Sequence, residues 1–302
     1  MKNEIADESK KEFEDFIDAK EESEIDPLQK YATKNDIILI GFIGTYYSKR
    51  FNPVSAQSAS FNIRDEFGIE RILTEIYEKI PNAHEKKMFL LVNSMGGSLS
   101  SAFKISRVIR EKFKDITVFV PHYALSGGTM LSLIGNRIRM GMMIQLSPLD
   151  VQLQYDGVQV SVNSLFAAQD TLNSIFSTNK PEELPYPYRH LAESLDPVIL
   201  EEWTGHKKEG RLYTREILDK SGYEDPDELA DTLTTRFHTH GYVIQYDLAK
   251  TLGLKVEKHD VDMESWELMR LWLSKYINTP TDRHYIRYVI PKVDDDKESK
   301  SE

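Results

Sequence analysis

Two stretches of this chain combine residue type and spacing in a way that can do chemistry. They are Asn93-Ser94-Met95-Gly96-Gly97 and Pro121-His122-Tyr123-Ala124-Leu125-Ser126-Gly127-Gly128-Thr129-Met130. In the second, a serine hydroxyl is followed by glycines whose backbone N–H groups no side chain hides. In the first, paired glycines free the backbone to take positive φ and to approach a substrate closely. A serine beside aimed N–H groups suits acyl transfer, in which the hydroxyl attacks a carbonyl and the N–H groups hold the resulting oxyanion. The residues alone leave rivals open: Ser126 serves equally as a helix N-cap, and Gly96-Gly97 equally as a tight turn.

Other chemistries lack their patterns. Ala124 stands two residues before the serine, so the Gly-x-Ser-x-Gly elbow of α/β-hydrolases is absent. No Gly-Lys-Ser/Thr follows the paired glycines, which speaks against a phosphate loop, and no His-Glu-x-x-His occurs. His238 and His240 alternate and would share a face of an extended segment, but no third ligand has matching spacing, so no metal site is expected. The chain has no cysteine, which removes disulfides, thiolate ligands and a thiol nucleophile.

The elements that must position these residues are legible from periodicity. Apolar runs at Met88–Val92 and Ile116–Val120 read as buried strands, and each leads through one of the two turns into a helical pattern. Both turns therefore fall at the C-terminal edge of one sheet, where α/β proteins place their sites. Ile37–Ile43 reads as the first core strand, and 45–60 as a long polar loop. Asp65 is positioned to cap a helix to about Ile80, with Phe67, Ile69, Ile72, Leu73, Ile76 and Ile80 on its apolar side. A helix from Ser98 to Phe113, one ending near Ile134, and short strands at Arg137–Met140 and Met143–Leu146 follow. Alternating strands and helices imply parallel pairing with right-handed crossovers. Beyond Leu165 the pattern is mainly helical, with a Pro- and Tyr-rich break at 181–187. A helix at Tyr246–Leu252, a strand at Leu254–Val256 and a last helix from Ser265 to Tyr276 complete the reading.

The chain has 302 residues, is 40% hydrophobic and carries a net charge of −11, as a globular protein with a sizeable core would. No Lys/Arg stripe marks a nucleic-acid face, so no nucleic acid is expected as a partner. Residues 1–30 carry 11 acidic and 5 basic side chains and hold no apolar signal segment; Phe13, Phe16 and Ile17 could line one face of a short helix there. No run is long enough for a membrane span, and a cytoplasmic location is expected. The division expected is a charged extension over 1–30, one domain over 31–293, and a polar tail over 294–302.

Taken in order, Val92-Asn93-Ser94-Met95-Gly96-Gly97, Val120 through Thr129, and Leu146-Ser147-Pro148-Leu149-Asp150-Val151-Gln152 resemble successive signatures of the Clp-fold serine peptidases. The nearest branch is the serine dehydrogenase proteinase family, related to signal peptide peptidase A and the proteolytic subunit of Clp protease. Thr239-His240-Gly241-Tyr242 and Ala249 through Leu254 resemble that family's C-terminal signature. The resemblance covers about residues 35–260. It departs at Met95, where proline is usual, and at Leu146-Ser147-Pro148-Leu149-Asp150, where the pattern is Leu-Gly-Pro-Ile-Asp.

The resemblance implies an α/β fold, a ClpP/crotonase-like spiral of β-β-α units with a helical C-terminal part. It implies a serine endopeptidase without cofactor, acting on peptides or unfolded proteins through an acyl-enzyme on Ser126. The oxyanion donors would come from Gly96 or Gly97 and from Gly127. It implies a homo-oligomer, with an ATPase or other partner protein left open. The base is less direct. The region after the serine where the Clp protease subunit places its histidine, Leu146–Gln152, has none. A Ser-Lys dyad as in signal peptide peptidases points to Lys180, which burial could turn into a base. His240 is the rival base, with His122 behind it. Asp150 would orient a base or cap a helix, and Asp196, followed by Pro197, is read as a cap. Two other functions stay open: a catalytically inactive Clp-fold peptide-binding or scaffold protein, and a crotonase-like acyl-CoA enzyme.

Overall fold

The computed structural model describes residues 19–21, 26–45, 60–155, 158–178, 197–237, 239–277, 279 and 283–292. The expected helix around Phe13, most of the 45–60 loop, the 181–187 break, Lys180, Asp196, His238 and the C-terminal tail lie outside these residues.

Strand β2 (Ile37–Thr45) is buried along its whole length, as a continuous apolar run should be in a parallel sheet covered on both faces. Beside it, in parallel, lie β3 (Lys87–Asn93), β4 (Asp115–Val120), β6 (Arg137–Met140) and β10 (Val256–Lys258). On the other side β11 (Arg283–Val289) runs antiparallel to β2, and β1 (Ala19–Glu21) pairs with β11. The seven strands are ordered β1-β11-β2-β3-β4-β6-β10.

Alternation along β2 divides the core. Ile38, Ile40 and Phe42 join the larger cluster with helices α2 (Ile63–Lys79), α3 (Leu99–Lys112) and α4 (Gly127–Ser132). To the same cluster belong residues of α6 (Pro197–Lys220), α7 (Pro226–Thr235) and α8 (Tyr246–Thr251). Ile37, Leu39 and Ile43 face the smaller cluster with α1 (Asp26–Asn35) and α9 (Met263–Ile277). At its centre Trp272 packs so closely on the sheet that a Cβ on Gly41 would stand 3.1 Å from the indole. Trp272 is fully buried, so Trp272→Ala is expected to cost about 3–5 kcal/mol in urea denaturation.

Several expected elements shift. The cap of α2 is Asn62, not Asp65: Asn62 accepts the Arg64 N–H, while Asp65 sits three residues on and closes a capping box by accepting the Asn62 N–H. Phe67 is exposed rather than in the core, because two residues from Ile69 is about 200° around a helix. The strand expected at Leu254–Val256 is β10, two residues later. The last helix starts at Met263, with Asp262 accepting the Ser265 N–H, so Ser265 is not its cap. Strand β11 was not expected at all.

At the C-terminal ends of the central strands the chain adds a second row of short extended pieces. Ser94 follows β3, β5 (Tyr123–Ala124) follows β4, and β7 (Gln145–Leu146) follows β6. Ser94 bridges Ala124, β5 pairs with β7, and Leu146 bridges Ile244. These β-β-α steps, with the parallel sheet and its helices, make the fold Clp-like. The hairpin β8 (Gln152–Tyr155) with β9 (Val158–Ser161) and helix α5 (Val162–Thr178) follow the 145–150 segment.

Candidate active site

The second row of strands is what sets the serine. Ser94 donates to the Tyr123 carbonyl at 3.1 Å and accepts the Leu125 N–H at 2.8 Å, which fixes the chain just before Ser126. Ser126 then takes φ 49°, ψ −116°, one of two positive-φ residues other than glycine among the described residues. Such a backbone is strained by about 1–3 kcal/mol and persists only where its surroundings hold it. They do so here. The Ser126 N–H donates to Ser147 Oγ at 2.8 Å, the Ser147 N–H to Thr129 Oγ1 at 3.0 Å, and the Thr129 hydroxyl to the Ala124 carbonyl at 2.7 Å. The Ser126 hydroxyl caps nothing. The capping alternative is therefore not realised, although Ser126 does stand at the N-terminus of α4.

The paired glycines differ from one another. Both have positive φ, 96° at Gly96 and 144° at Gly97. The Gly96 N–H donates to Ser94 Oγ at 3.1 Å. Neither the Gly97 N–H nor the Gly127 N–H has an acceptor among the described residues. The two glycines border each other: a Cβ built on Gly127 would lie 3.7 Å from Gly97 N, and one on Gly96 would lie 2.7 Å from Ser126 Cβ. Two unpaired N–H groups thus flank the serine. Helix α4 is only six residues long, so its dipole adds little to them.

The segment that holds Ser126 also carries Asp150, whose side chain is 2% exposed. Its Oδ1 pairs with His240 Nδ1 at 2.8 Å, and its Oδ2 accepts from Ser161 Oγ at 2.6 Å and Gln152 Nε2 at 2.9 Å. An ionised carboxylate only accepts, so the His240 Nδ1–H donates to Asp150, and in the neutral imidazole Nε2 is then the acceptor. The histidine's own loop is tied to the same segment, since Gln145 Nε2 donates to the Gly241 carbonyl and Leu146 bridges Ile244. Asp150 therefore fixes the His240 ring and caps no helix among the described residues.

Burial alone would raise the Asp150 carboxyl, but the hydrogen bonds from His240 and Ser161, with Gln152 behind them, outweigh it and hold the group below its ordinary value. A carboxyl lowered on folding stabilises the protein above the unfolded-state value of about 3.9, and that contribution is lost as pH falls through the folded-state value. Asp150→Asn is therefore expected to cost about 1–3 kcal/mol at pH 7. The gap to wild type should close as pH drops below about 4, as urea melts at stepped pH would measure.

The other candidates fall elsewhere. His122 is exposed and borders a groove with Glu267, Arg270 and Ser274 on the α9 side. Lys180 lies outside the described residues, and α5 contains no lysine. No cluster of metal-binding side chains, and no helix long and apolar enough to cross a membrane, occurs among the described residues. Sequence reasoning missed the part played by Ser147. Its signal was the departure from glycine within the Leu146–Asp150 motif, since only a hydroxyl can accept the Ser126 N–H there. It also missed Phe61, whose backbone grips the Gly96–Ser98 turn.

Residues 62–170 match the family model of the ClpP-like SDH-type serine proteinases. Uncharacterized protein MJ0137 of Methanocaldococcus jannaschii is 28% identical over 188 residues, 62% of this chain and 59% of that protein. Uncharacterized protein MJ1495 of the same organism is 26% identical over 184 residues, 61% of this chain and 56% of that protein. The matched part thus spans less than two thirds of either relative's length. A mutant structure of the 1510-N membrane-bound stomatin-specific protease aligns with 65% of this chain and 74% of its own, at 14% identity and a TM-score of 0.41. A second mutant of that protease, in complex with a substrate peptide, aligns with 64% of this chain and 67% of its own, at 16% identity and a TM-score of 0.39. Likenesses that distant carry no argument; the similarity that counts is the match of residues 62–170 to the ClpP-like SDH-type serine proteinases.

Proposed function

We propose that this protein is a serine endopeptidase that cleaves peptide bonds through an acyl-enzyme on Ser126. The observation that carries the reading is the pair of N–H groups, Gly97 and Gly127, without acceptors among the described residues, beside a serine held in a strained backbone whose hydroxyl makes no capping bond. The Ser126 hydroxyl gives up its proton and its oxygen bonds to the substrate carbonyl carbon. The carbonyl π electrons move onto oxygen, where the two N–H groups stabilise the negative charge. Each such donor contributes about 2.7–4 kcal/mol to the barrier reduction in acyl transfer. Collapse expels the amine, which takes the proton, and a water molecule repeats the sequence on the ester.

For the base we favour His240, because Asp150 fixes its tautomer and leaves Nε2 to receive a proton. The Ser-Lys dyad with Lys180, drawn from the family resemblance, is the competing assignment. Turnover of a quenched-fluorescence peptide library separates the two. His240→Ala is expected to lose activity by about 10³-fold or more, while Lys180→Ala retains it. The reverse pattern moves the base to Lys180. Absence of turnover by the wild-type protein over the whole library would favour the inactive peptide-binding alternative.

A further inference from the structure

One buried ionisable pair takes no part in the chemistry above. His284, on β11, has a side chain only 2% exposed and pairs through Nδ1 with Asp65 Oδ1 at 2.9 Å, across 219 residues of sequence. Its Nε2 is buried without a hydrogen-bond partner among the described residues. An apolar pair of the same volume would pack there at lower cost in stability. We infer that the Asp65–His284 pair positions the oxyanion hole, acting through Phe61; this rests on the peptidase reading of the site.

The connection is a chain of direct contacts. Asp65 spends its second oxygen, Oδ2, on the Asn62 N–H at 2.8 Å, and so fixes the residue next to Phe61. The Phe61 ring meets the His284 ring edge-on, with centroids 4.9 Å apart and planes at 76°. Phe61 therefore has its backbone held by Asp65, through Asn62, and its ring held by His284.

What Phe61 holds in turn is the donor. Its N–H donates to the Gly96 carbonyl at 2.8 Å, and its carbonyl accepts the Ser98 N–H at 2.9 Å. The Gly96 carbonyl and the Gly97 N–H are opposite ends of one planar trans peptide. Gripping the carbonyl from the Phe61 side therefore aims the Gly97 N–H the other way. The ring reaches the second donor as well: Phe61 Cδ2 lies 3.2 Å from where a Cβ on Gly127 would stand. A single residue thus touches both halves of the hole, and the buried pair sets where that residue sits. The paired glycines supply a peptide able to take this orientation. Without the grip their freedom would also let it turn away.

The test compares His284→Ala, Asp65→Asn and His284→Asn, the last of which keeps an N–H donor near the position of Nδ1. Folding is checked by circular dichroism. In peptide turnover, His284→Ala and Asp65→Asn are expected to lose about 10–100-fold in kcat, with KM changed less than twofold, and His284→Asn to recover most of it. A second readout does not depend on turnover: hydrogen exchange at the Ser98 amide, which the Phe61 carbonyl protects. It is expected to quicken at least tenfold in His284→Ala and Asp65→Asn, with β3 and α3 unchanged. Wild-type kcat in either folded variant, or a loss confined to KM, would overturn the positioning role. So would unchanged Ser98 exchange. If the wild-type protein turns over no peptide, the peptidase reading fails, and the Ser98 exchange alone decides whether the pair holds the turn.

Discussion

Ser126→Ala is expected to lower kcat by a factor on the order of 10⁶, as removal of a serine nucleophile does in an unrelated serine peptidase. Its stability should stay within about 0.5 kcal/mol of wild type. The two halves of this expectation come from one observation. The hydroxyl makes no capping bond, so its loss removes nothing that holds the turn. The bonds that do hold it come from elsewhere. The Ser126 N–H goes to Ser147 and the Ser126 carbonyl receives the Met130 N–H, both backbone groups that alanine keeps. A thermal melt beside a steady-state assay measures both. A variant that loses activity by unfolding would show that the hydroxyl is structural.

Gly97→Ala is expected to cost less activity than Ser126→Ala, but to cost stability as well. A Cβ on Gly97 would lie 2.3 Å from Phe61 N and 2.5 Å from Phe61 O, and the residue sits at φ 144°. Both obstacles are backbone atoms, so no side chain can swing aside. Either the Phe61 bridge opens or the Gly97 peptide turns, and in both cases the N–H leaves its aim. The expected loss is about 10²–10³-fold in kcat, the cost of one oxyanion donor, with about 1–3 kcal/mol of stability lost to strain. Pre-steady-state acylation with an ester substrate separates this from a slower deacylation. Wild-type acylation by a folded Gly97→Ala protein would remove Gly97 from the hole.

The parts of this site that were legible in the sequence are those written in glycine and serine at strand ends. Gly96-Gly97 and Ser126-Gly127 interrupt apolar runs, and the runs themselves fixed the parallel strands that carry them. The choice between Gly96 and Gly97 was not legible. The residues are identical in type, and only the Ser94 hydroxyl, which takes the Gly96 N–H, tells them apart. Asn62 and Asp65 are both good caps three residues apart, and the capping box uses both, so type alone favoured the wrong one.

Strand β11 was hidden because its sequence, Arg283-His284-Tyr285-Ile286-Arg287-Tyr288-Val289, mixes basic residues with aromatics in a strand buried from His284 onward. The buried basic side chains are accommodated through partners far along the chain or on another element. Asp65 receives His284. The Tyr276 hydroxyl and the Ile286 carbonyl receive Arg287, with the Tyr285 ring 4.9 Å from its guanidinium. No local pattern announces such an arrangement. The Asp150–His240 pair was half legible: both residues stood out, but only the fold brings residues 90 apart in sequence to 2.8 Å.

The most direct test of the central claim is intact-mass analysis after reaction with a fluorophosphonate, followed by peptide mapping of the adduct. The reagent phosphonylates an activated serine, the serine oxygen displacing fluoride at phosphorus, and its P=O oxygen occupies the place of the oxyanion. One adduct per chain, mapped to Ser126 and absent from Ser126→Ala, is the predicted result. A folded wild-type protein that takes up no adduct, or an adduct on another serine that persists in Ser126→Ala, would contradict the account.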